Sequence, residues 1–319
     1  MTRPRSTLIS LEATPYYHCI SRCVRRAFLF GLDPVSGKSL DHRKPWLVAR
    51  FRLLSEVFAI NIAAYAVMRN HYHLVLHVDH EQAQSWSNKE VLIRWTQIYR
   101  GPELAQHYLL GETLSDKELQ TLEQLIEVWR SRLCSISWFM SCLNYTIAVQ
   151  ANKEDGCTGR FWQGRFKSQA LLDETALLSC MAYVDLNPIR AGIANNLEDS
   201  DFTSIQDRIR QVQGKQRDDT KPQLMSFVER AAELQKPILT LPHTLQDYLE
   251  LVDWTGRAIR DDKKGFIKLS QPKLLSILKL SGQQWRVLAL EVQKKSILML
   301  HGLNKLDSIE KHSRKILAA

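Results

Sequence analysis

Residues 61–79 read NIAAYAVMRNHYHLVLHVD, a candidate β-hairpin. Two apolar runs flank Arg69-Asn70, which predicts a β-hairpin with its turn at these two residues. Successive side chains of a strand point to opposite sides, so His71, His73 and His77 share one face of the second arm. The other face is apolar and carries Tyr72, Leu74, Leu76 and Val78. The hairpin therefore offers one face to a core and one face with imidazoles.

Hydrophobic periodicity predicts the elements on either side of the hairpin. They are a strand with a turn and a short strand at 15–31, a helix at 43–60, an acidic helical stretch at 82–130, a helix at 131–152, an aromatic-basic strand at 160–171, and a helix at 173–186. The character changes near residue 200. We therefore predict a domain over 1–200 with a helical insertion at 82–130, a linker at 201–222, and a mostly helical domain over 223–319.

The charge balance suggests a polyanionic partner. The 319 residues hold 43 Lys and Arg against 34 Asp and Glu, a net charge of +9, while 45% hydrophobic residues with 13 Gly and 10 Pro exclude disordered and collagen-like chains. The excess lies at the two ends: residues 1–60 hold ten basic and four acidic residues, and residues 201–319 hold twenty-one and fourteen. Nucleic acid is a partner that such a surplus favours.

Targeting signals and thiol pairs are missing from the sequence. The basic start lacks the apolar segment of a signal peptide, and no apolar run approaches the ~20 residues of a membrane span. The six cysteines form no CxxC pair and no zinc-finger spacing, so we expect reduced, buried thiols. These features predict a cytoplasmic protein with no membrane partner.

The pair His71 and His73 is the sharpest local feature. On a strand the two Cα atoms lie about 6.5–7 Å apart on one face. Two imidazoles at that spacing can converge on one divalent metal ion, with a third ligand supplied from elsewhere. The alternative is a polar strand face without a metal.

Tyr183 and Asn187 form a second pair. If the helix at 173–186 holds for one more residue before Pro188, the phenol and the amide lie on one helix face. The amide oxygen can complete a metal site, and the phenol can attack a group bound there, although a phenol with a pKa near 10 needs help to ionise. Tyr145 competes less well, because Val149 follows it four residues later. The alternative is a core tyrosine.

Residues 160–167, RFWQGRFK, alternate rings with cations. Bases can stack on rings, and cations can neutralise phosphates. An ordinary strand with aromatic core contacts is the alternative.

Together, five segments in this order resemble the REP-associated tyrosine transposases, which are single-tyrosine HUH transposases. The segments are YYHCISRCVRRAFLFG, AVMRNHYHLVLHV, SWFMSCLNYTIAVQAN, GRFWQGRFKS and LLSCMAYVDLNPIRAG, and the resemblance covers about residues 14–197. The resemblance implies an α+β fold, with a ferredoxin-like HUH domain built on a central antiparallel sheet. The long stretch at 82–130 and the tail beyond 200 depart from the family's pattern.

The resemblance also implies an activity. Tyr183 matches the nucleophile, and His71, His73 and Asn187 match the ligands of a divalent ion, Mg²⁺ or Mn²⁺. The family cleaves single-stranded DNA beside hairpins through a 5′-phosphotyrosine. Its members often work as dimers, so the resemblance also implies a homodimer as a candidate assembly. Our candidate DNA-contacting residues are Arg22, Arg25, Arg26, Arg160, Trp162, Arg165, Lys167 and Arg190.

Two other functions stay open. The first is a non-catalytic protein that recognises hairpin or palindromic DNA, because residues 273–295, KLLSILKLSGQQWRVLALEVQKK, read as helix, turn, helix. The same stretch also suits a helical packing domain. The second is a metal-dependent RNA-processing enzyme, for which the sequence shows no base and no 2′-hydroxyl site.

Overall fold

Four antiparallel strands form one sheet with the spatial order β2-β3-β1-β4. The computed structural model describes residues 9–24, 29–33, 37–215, 222–228, 239–258 and 272–301. The strands are β1 (Tyr16–Arg22), β2 (Ile60–Met68), β3 (His71–Val78) and β4 (Lys167–Ala170).

Helices cover the sheet on both sides. In chain order they are α1 (Lys44–Val57), α2 (His80–Ser85), α3 (Asn88–Thr96), α4 (Glu103–Leu110), α5 (Asp116–Leu133), α6 (Ile136–Asp155), α7 (Glu174–Asp185), α8 (Asn187–Arg190), α9 (Ser204–Val212), α10 (Leu245–Ala258), α11 (Lys273–Ile277) and α12 (Gly282–His301). Without the insertion between β3 and α6, the order to β4 is β-α-β-β-α-β. This order and the strand arrangement are ferredoxin-like, so the predicted α+β class with a central antiparallel sheet is confirmed.

The hairpin forms as the sequence predicts. Met68 pairs with His71 and Val67 with Tyr72, which leaves Arg69-Asn70 as the turn. The two faces of β3 enter different apolar clusters: Tyr72 and its alternate neighbours pack with α1 and α6 in the first apolar cluster, whereas Val75 packs with α7 in the second apolar cluster. The histidines therefore lie on the face that α7 covers.

The insertion consists of α2 to α5. Glu90 closes a capping box with Ser87 at the start of α3, and Glu118 closes one with Ser115 at the start of α5. The indole rings of Trp95 and Trp129 stack at 5.1 Å between centroids and join α3 to α5. The insertion extends the cluster on the α1 and α6 side, away from the histidines. None of the described helices has the length and apolar character needed to cross a membrane.

The prediction of a strand over 160–171 is wrong before Lys167. Phe161 and Trp162 are both buried, and their ring centroids lie 5.0 Å apart. Neighbouring side chains of a regular strand point to opposite sides, so this pair forces an irregular backbone. Within residues 160–166, all of which the structure describes, the backbone forms a single isolated bridge, between Cys23 and Trp162, and no strand.

Residues after 200 cover the edge of the sheet. Thr203 bridges to Ala66 and Leu224 to Ile62, and the backbone N–H of Tyr65 donates to Ser204 Oγ at 2.9 Å. These contacts pair β2, an edge strand that would otherwise expose free backbone groups. The range predicted as a linker thus contains α9, packed on β2. The division of the chain into separate domains stays a prediction.

The tail helices pack against the rest of the described chain. Trp285 of α12 is fully buried and its indole N–H donates to Thr255 Oγ1 of α10 at 2.9 Å. α12 also contacts α7 and β1. This placement agrees with the helical-packing alternative for residues 273–295.

A buried carboxylate joins α7 to the tail. Asp185 is fully buried and accepts hydrogen bonds from Ser204 Oγ and, at 2.6 Å, from Tyr248 Oη. Burial raises the pKa of Asp185, an effect that these hydroxyls and the nearby Arg208 partly offset. The carboxylate is therefore a polar connection inside the second apolar cluster.

We expect Asp185→Ala to lower the free energy of unfolding by about 3 kcal/mol, because two buried hydroxyls lose their acceptor. Asp253→Ala is the control, since its exposed pair with Arg257 on α10 contributes less than ~1 kcal/mol. Urea unfolding followed by circular dichroism measures both variants. Equal unfolding midpoints for the two variants would contradict the role of Asp185.

Candidate functional site

His71 and His73 lie side by side on β3. Their ring centroids are 4.9 Å apart, with the rings at 79°. His71 Nδ1 lies 2.8 Å from the side-chain oxygen of Asn70, so His71 donates from Nδ1 and keeps the lone pair of Nε2 for another ligand. The hairpin turn therefore orients the first imidazole.

Tyr183 and Asn187 both approach His73. Asp173 caps the start of α7, where its carboxylate accepts from Ala176 N at 2.7 Å. Leu186, between α7 and α8, has helical dihedral angles. The four-residue spacing of Tyr183 and Asn187 therefore places their side chains on one helix face, as predicted. The Asn187 amide lies 2.9 Å from His73 Nε2, and the Tyr183 ring is 5.5 Å from the His73 ring.

His18 of β1 completes the cluster and was not among the residues predicted from the sequence. Its Nε2 lies 2.9 Å from His73 Nδ1, and the two rings lie edge to edge, 19° from parallel, with their centroids 5.2 Å apart. Period-2 alternation does place His18 on one face with Ile20 and Arg22. Only the pairing of β1 with β3 brings that face to His73.

Burial keeps the three imidazoles neutral. It lowers the pKa of His71 to about 4, with Arg22 adding to the effect, and lowers the pKa of His18 to about 3. The pKa of His73 is lowered well below its usual range for the same reason, assisted by the other two rings. Neutral imidazole is the form that binds a metal ion, so no proton has to leave these rings at neutral pH.

The residues present fit a divalent ion as two imidazole nitrogens and one amide oxygen. Among the described residues, no three His, Cys, Asp or Glu side chains are grouped to hold a metal. An amide oxygen could serve as the third donor, because the Asn187 amide touches His73 Nε2 and a rotation of the amide group by about 180° presents Oδ1 there. His71, His73 and Asn187 are the residues that could hold Mg²⁺ or Mn²⁺.

The phenol of Tyr183 is enclosed. The residue is 4% exposed, and α12 packs over α7. Burial raises the pKa of Tyr183, although the side chains of Ser296 and Asn187 lower it in part. The phenol is therefore protonated at neutral pH and almost fully shielded from solvent.

Tyr145 lies outside the site. It is 72% exposed on α6, and α6 packs on the sheet face opposite the histidines. The structure thus brings Tyr183, and not Tyr145, to the imidazoles.

Three predicted DNA-contacting residues converge beside the histidines. Arg22, Arg165 and Lys167 line a cavity of ≈ 140 Å³ together with Ile20 and Met299. Arg22 pairs with His71 across the sheet, and Ile20 pairs with His73. The cavity therefore places positive charge next to the imidazoles.

The other predicted DNA contacts are placed differently. Arg190 is half-buried, 5.6 Å from the Tyr183 ring, and donates to Gln293 of α12 at 2.9 Å. Trp162 is buried and its indole N–H donates to Asn144 O at 2.8 Å, so it offers no exposed face to a base. Arg160 is exposed, and Arg25 and Arg26 lie outside the described residues.

No protein-family model matches the chain, and no curated protein matches it. Among solved structures, the chain is similar to a REP-associated tyrosine transposase bound to a REP hairpin. The identity is 13% and the TM-score 0.30, over 66% of this chain and 87% of that chain.

Proposed function

We propose that the chain is a metal-dependent single-stranded DNA transesterase, which cleaves and rejoins DNA near hairpins in the manner of a transposase. The observation that carries the proposal is the contact of His73 with both the Asn187 amide and the Tyr183 ring. A phenol next to two neutral imidazoles and an amide has a nucleophile and a set of metal ligands in one place.

In the proposed reaction, Tyr183 Oη attacks the scissile phosphorus in line with the leaving oxygen. The bond from phosphorus to the 3′ oxygen breaks, a 5′-phosphotyrosine forms, and the 3′-hydroxyl leaves with a proton from solvent. His71, His73 and Asn187 would hold a divalent ion, which would withdraw charge from the phosphate. The phenol gives its proton to solvent as it attacks. A second 3′-hydroxyl can reverse the step, so no nucleotide cofactor is needed.

The proposed substrate is single-stranded or hairpin DNA. Arg22, Arg165 and Lys167 support this class, because a groove with three cations beside the imidazoles suits a phosphate backbone. Arg190 is a further candidate once Gln293 releases it. A homodimer and a cytoplasmic location stay predictions.

The test is a covalent-adduct assay. The protein is incubated with an end-labelled DNA hairpin carrying single-stranded flanks, with Mn²⁺, and separated on a denaturing gel. We expect a labelled band at the mass of protein plus DNA, which requires Mn²⁺ and disappears with EDTA. A matched RNA hairpin should give no band. A band that persists in EDTA would contradict the metal dependence, and a band with RNA alone would favour the RNA-processing alternative.

The second candidate function is DNA binding without catalysis. The enclosure of Tyr183 under α12 favours it, since a nucleophile that is 4% exposed meets no substrate in this conformation. Retarded mobility of the hairpin on a native gel, with no adduct at any Mn²⁺ concentration, would support this function and contradict the first.

A further inference from the structure

The buried histidine of β1 has no role in the reaction proposed above. His18 is fully buried, and within the described residues its Nδ1 atom has no hydrogen-bond partner. Its Nε2 contacts His73 Nδ1 at 2.9 Å. An apolar side chain would fill this space without burying a polar atom. The contact between His18 and His73 therefore indicates a role beyond packing.

Sheet geometry fixes this contact. His18 pairs with Val75 of β3 and Ile20 pairs with His73, so His18 and His73 are diagonal neighbours on one face. Diagonal positions in antiparallel strands are within reach of long and aromatic side chains. The two rings lie edge to edge and only 19° from parallel, so the two nitrogens face each other.

The hydrogen bonds of His73 determine where its proton lies. A neutral imidazole carries one N–H and one lone pair. If Nδ1 carries the proton, it donates to His18 Nε2, and Nε2 of His73 keeps a lone pair on the side of Asn187. If Nε2 carries the proton, His73 cannot bind an ion on that side.

We propose that His18 is a positioning residue, which accepts the Nδ1–H of His73 and so directs the Nε2 lone pair of His73 toward the metal position. This inference rests on the proposed function, because it assigns a partner to one ligand of the proposed ion. Metal-bound histidines almost always donate their second ring N–H to a hydrogen-bond acceptor, usually a carboxylate, a backbone carbonyl or water, and loss of the acceptor typically weakens metal binding about 10–100-fold.

Metal affinity provides the first test. Mn²⁺ binding to the full chain without DNA is titrated calorimetrically for the wild type and three variants. His18→Phe keeps a ring but removes the acceptor, and we expect about 10–100-fold weaker binding. His18→Gln supplies an amide oxygen and should restore most of the affinity. His77→Phe is the matched control, since His77 is buried on the same face and contacts Tyr16 rather than His73.

The position of the ring proton of His73 provides the second test. This measurement uses the wild-type protein, so it does not depend on the folding of a variant. In protein labelled with ¹⁵N-histidine, two-bond ¹H–¹⁵N correlations distinguish a ring protonated at Nδ1 from one protonated at Nε2. We expect His73 to carry its proton on Nδ1 in the metal-free wild type.

The outcomes separate the two proposals. Unchanged Mn²⁺ affinity in a folded His18→Phe protein, or a proton on Nε2 of His73 in the wild type, would overturn the role of His18 and leave the proposed function standing. Failure of the wild type to bind Mn²⁺ at all would overturn the proposed metal site, and the role of His18 with it.

Discussion

Tyr183→Phe is expected to abolish the covalent adduct between the protein and a DNA hairpin. Phenylalanine has no oxygen to attack phosphorus, and deletion of a covalent nucleophile costs on the order of 10⁶-fold in rate. The ring itself is retained beside His73, where the two rings lie 5.5 Å apart. The denaturing gel with labelled hairpin and Mn²⁺ measures this loss.

Tyr145→Phe serves as the matched control for that experiment. It makes the same chemical change at an exposed position on α6, so the adduct should form at the wild-type rate. Hairpin binding on a native gel should survive in both variants. An adduct formed by the Tyr183→Phe protein would exclude Tyr183 as the nucleophile.

His71→Ala is expected to weaken Mn²⁺ binding by more than about 100-fold, because the substitution removes a proposed direct ligand. Loss of a residue that only hydrogen-bonds to a ligand typically costs about 10–100-fold. His71 is half-buried and its side chain bonds only to the adjacent Asn70 among the described residues, so the substitution disturbs packing little. Calorimetric titration with Mn²⁺ measures the affinity. Adduct formation should fall in parallel.

The control for His71→Ala is His107→Ala, on the exposed face of the insertion. This variant should bind Mn²⁺ and form the adduct as the wild type does. In the wild type, EDTA should remove activity and excess Mn²⁺ should restore it. Full activity of His71→Ala at micromolar Mn²⁺ would show that the ion is held elsewhere.

Much of the fold was predictable, because its main elements have strong local signals. The two-residue turn at Arg69-Asn70 and strict alternation in β3 determine the hairpin and the face of each histidine. The spacing of Tyr183 and Asn187, with Pro188 after them, places both on one helix face. These signals act over a few residues, and the structure agrees with them.

The other features of the fold and the site depend on contacts between residues far apart in the sequence, which local patterns do not predict. His18 meets His73 only because β1 pairs with β3, which are separated by 55 residues in this contact. The irregular backbone at Phe161 and Trp162 arises because tertiary packing buries two neighbouring rings together. The cover over Tyr183 comes from α12, more than 90 residues further along the chain. Local patterns in the sequence therefore place His71, His73, Tyr183 and Asn187, but they predict neither the contact of His18 with His73 nor the enclosure of Tyr183.

The second apolar cluster has a practical consequence for shortened versions of the protein. Leu178 and Val184 of α7 share this cluster with Tyr248 and Trp285, which come from the tail. A fragment ending near residue 200 would expose that apolar surface to water and invite self-association. Activity lost in such a fragment would report aggregation as readily as a missing DNA contact. Point substitutions on the intact polypeptide are therefore the sound way to dissect this molecule.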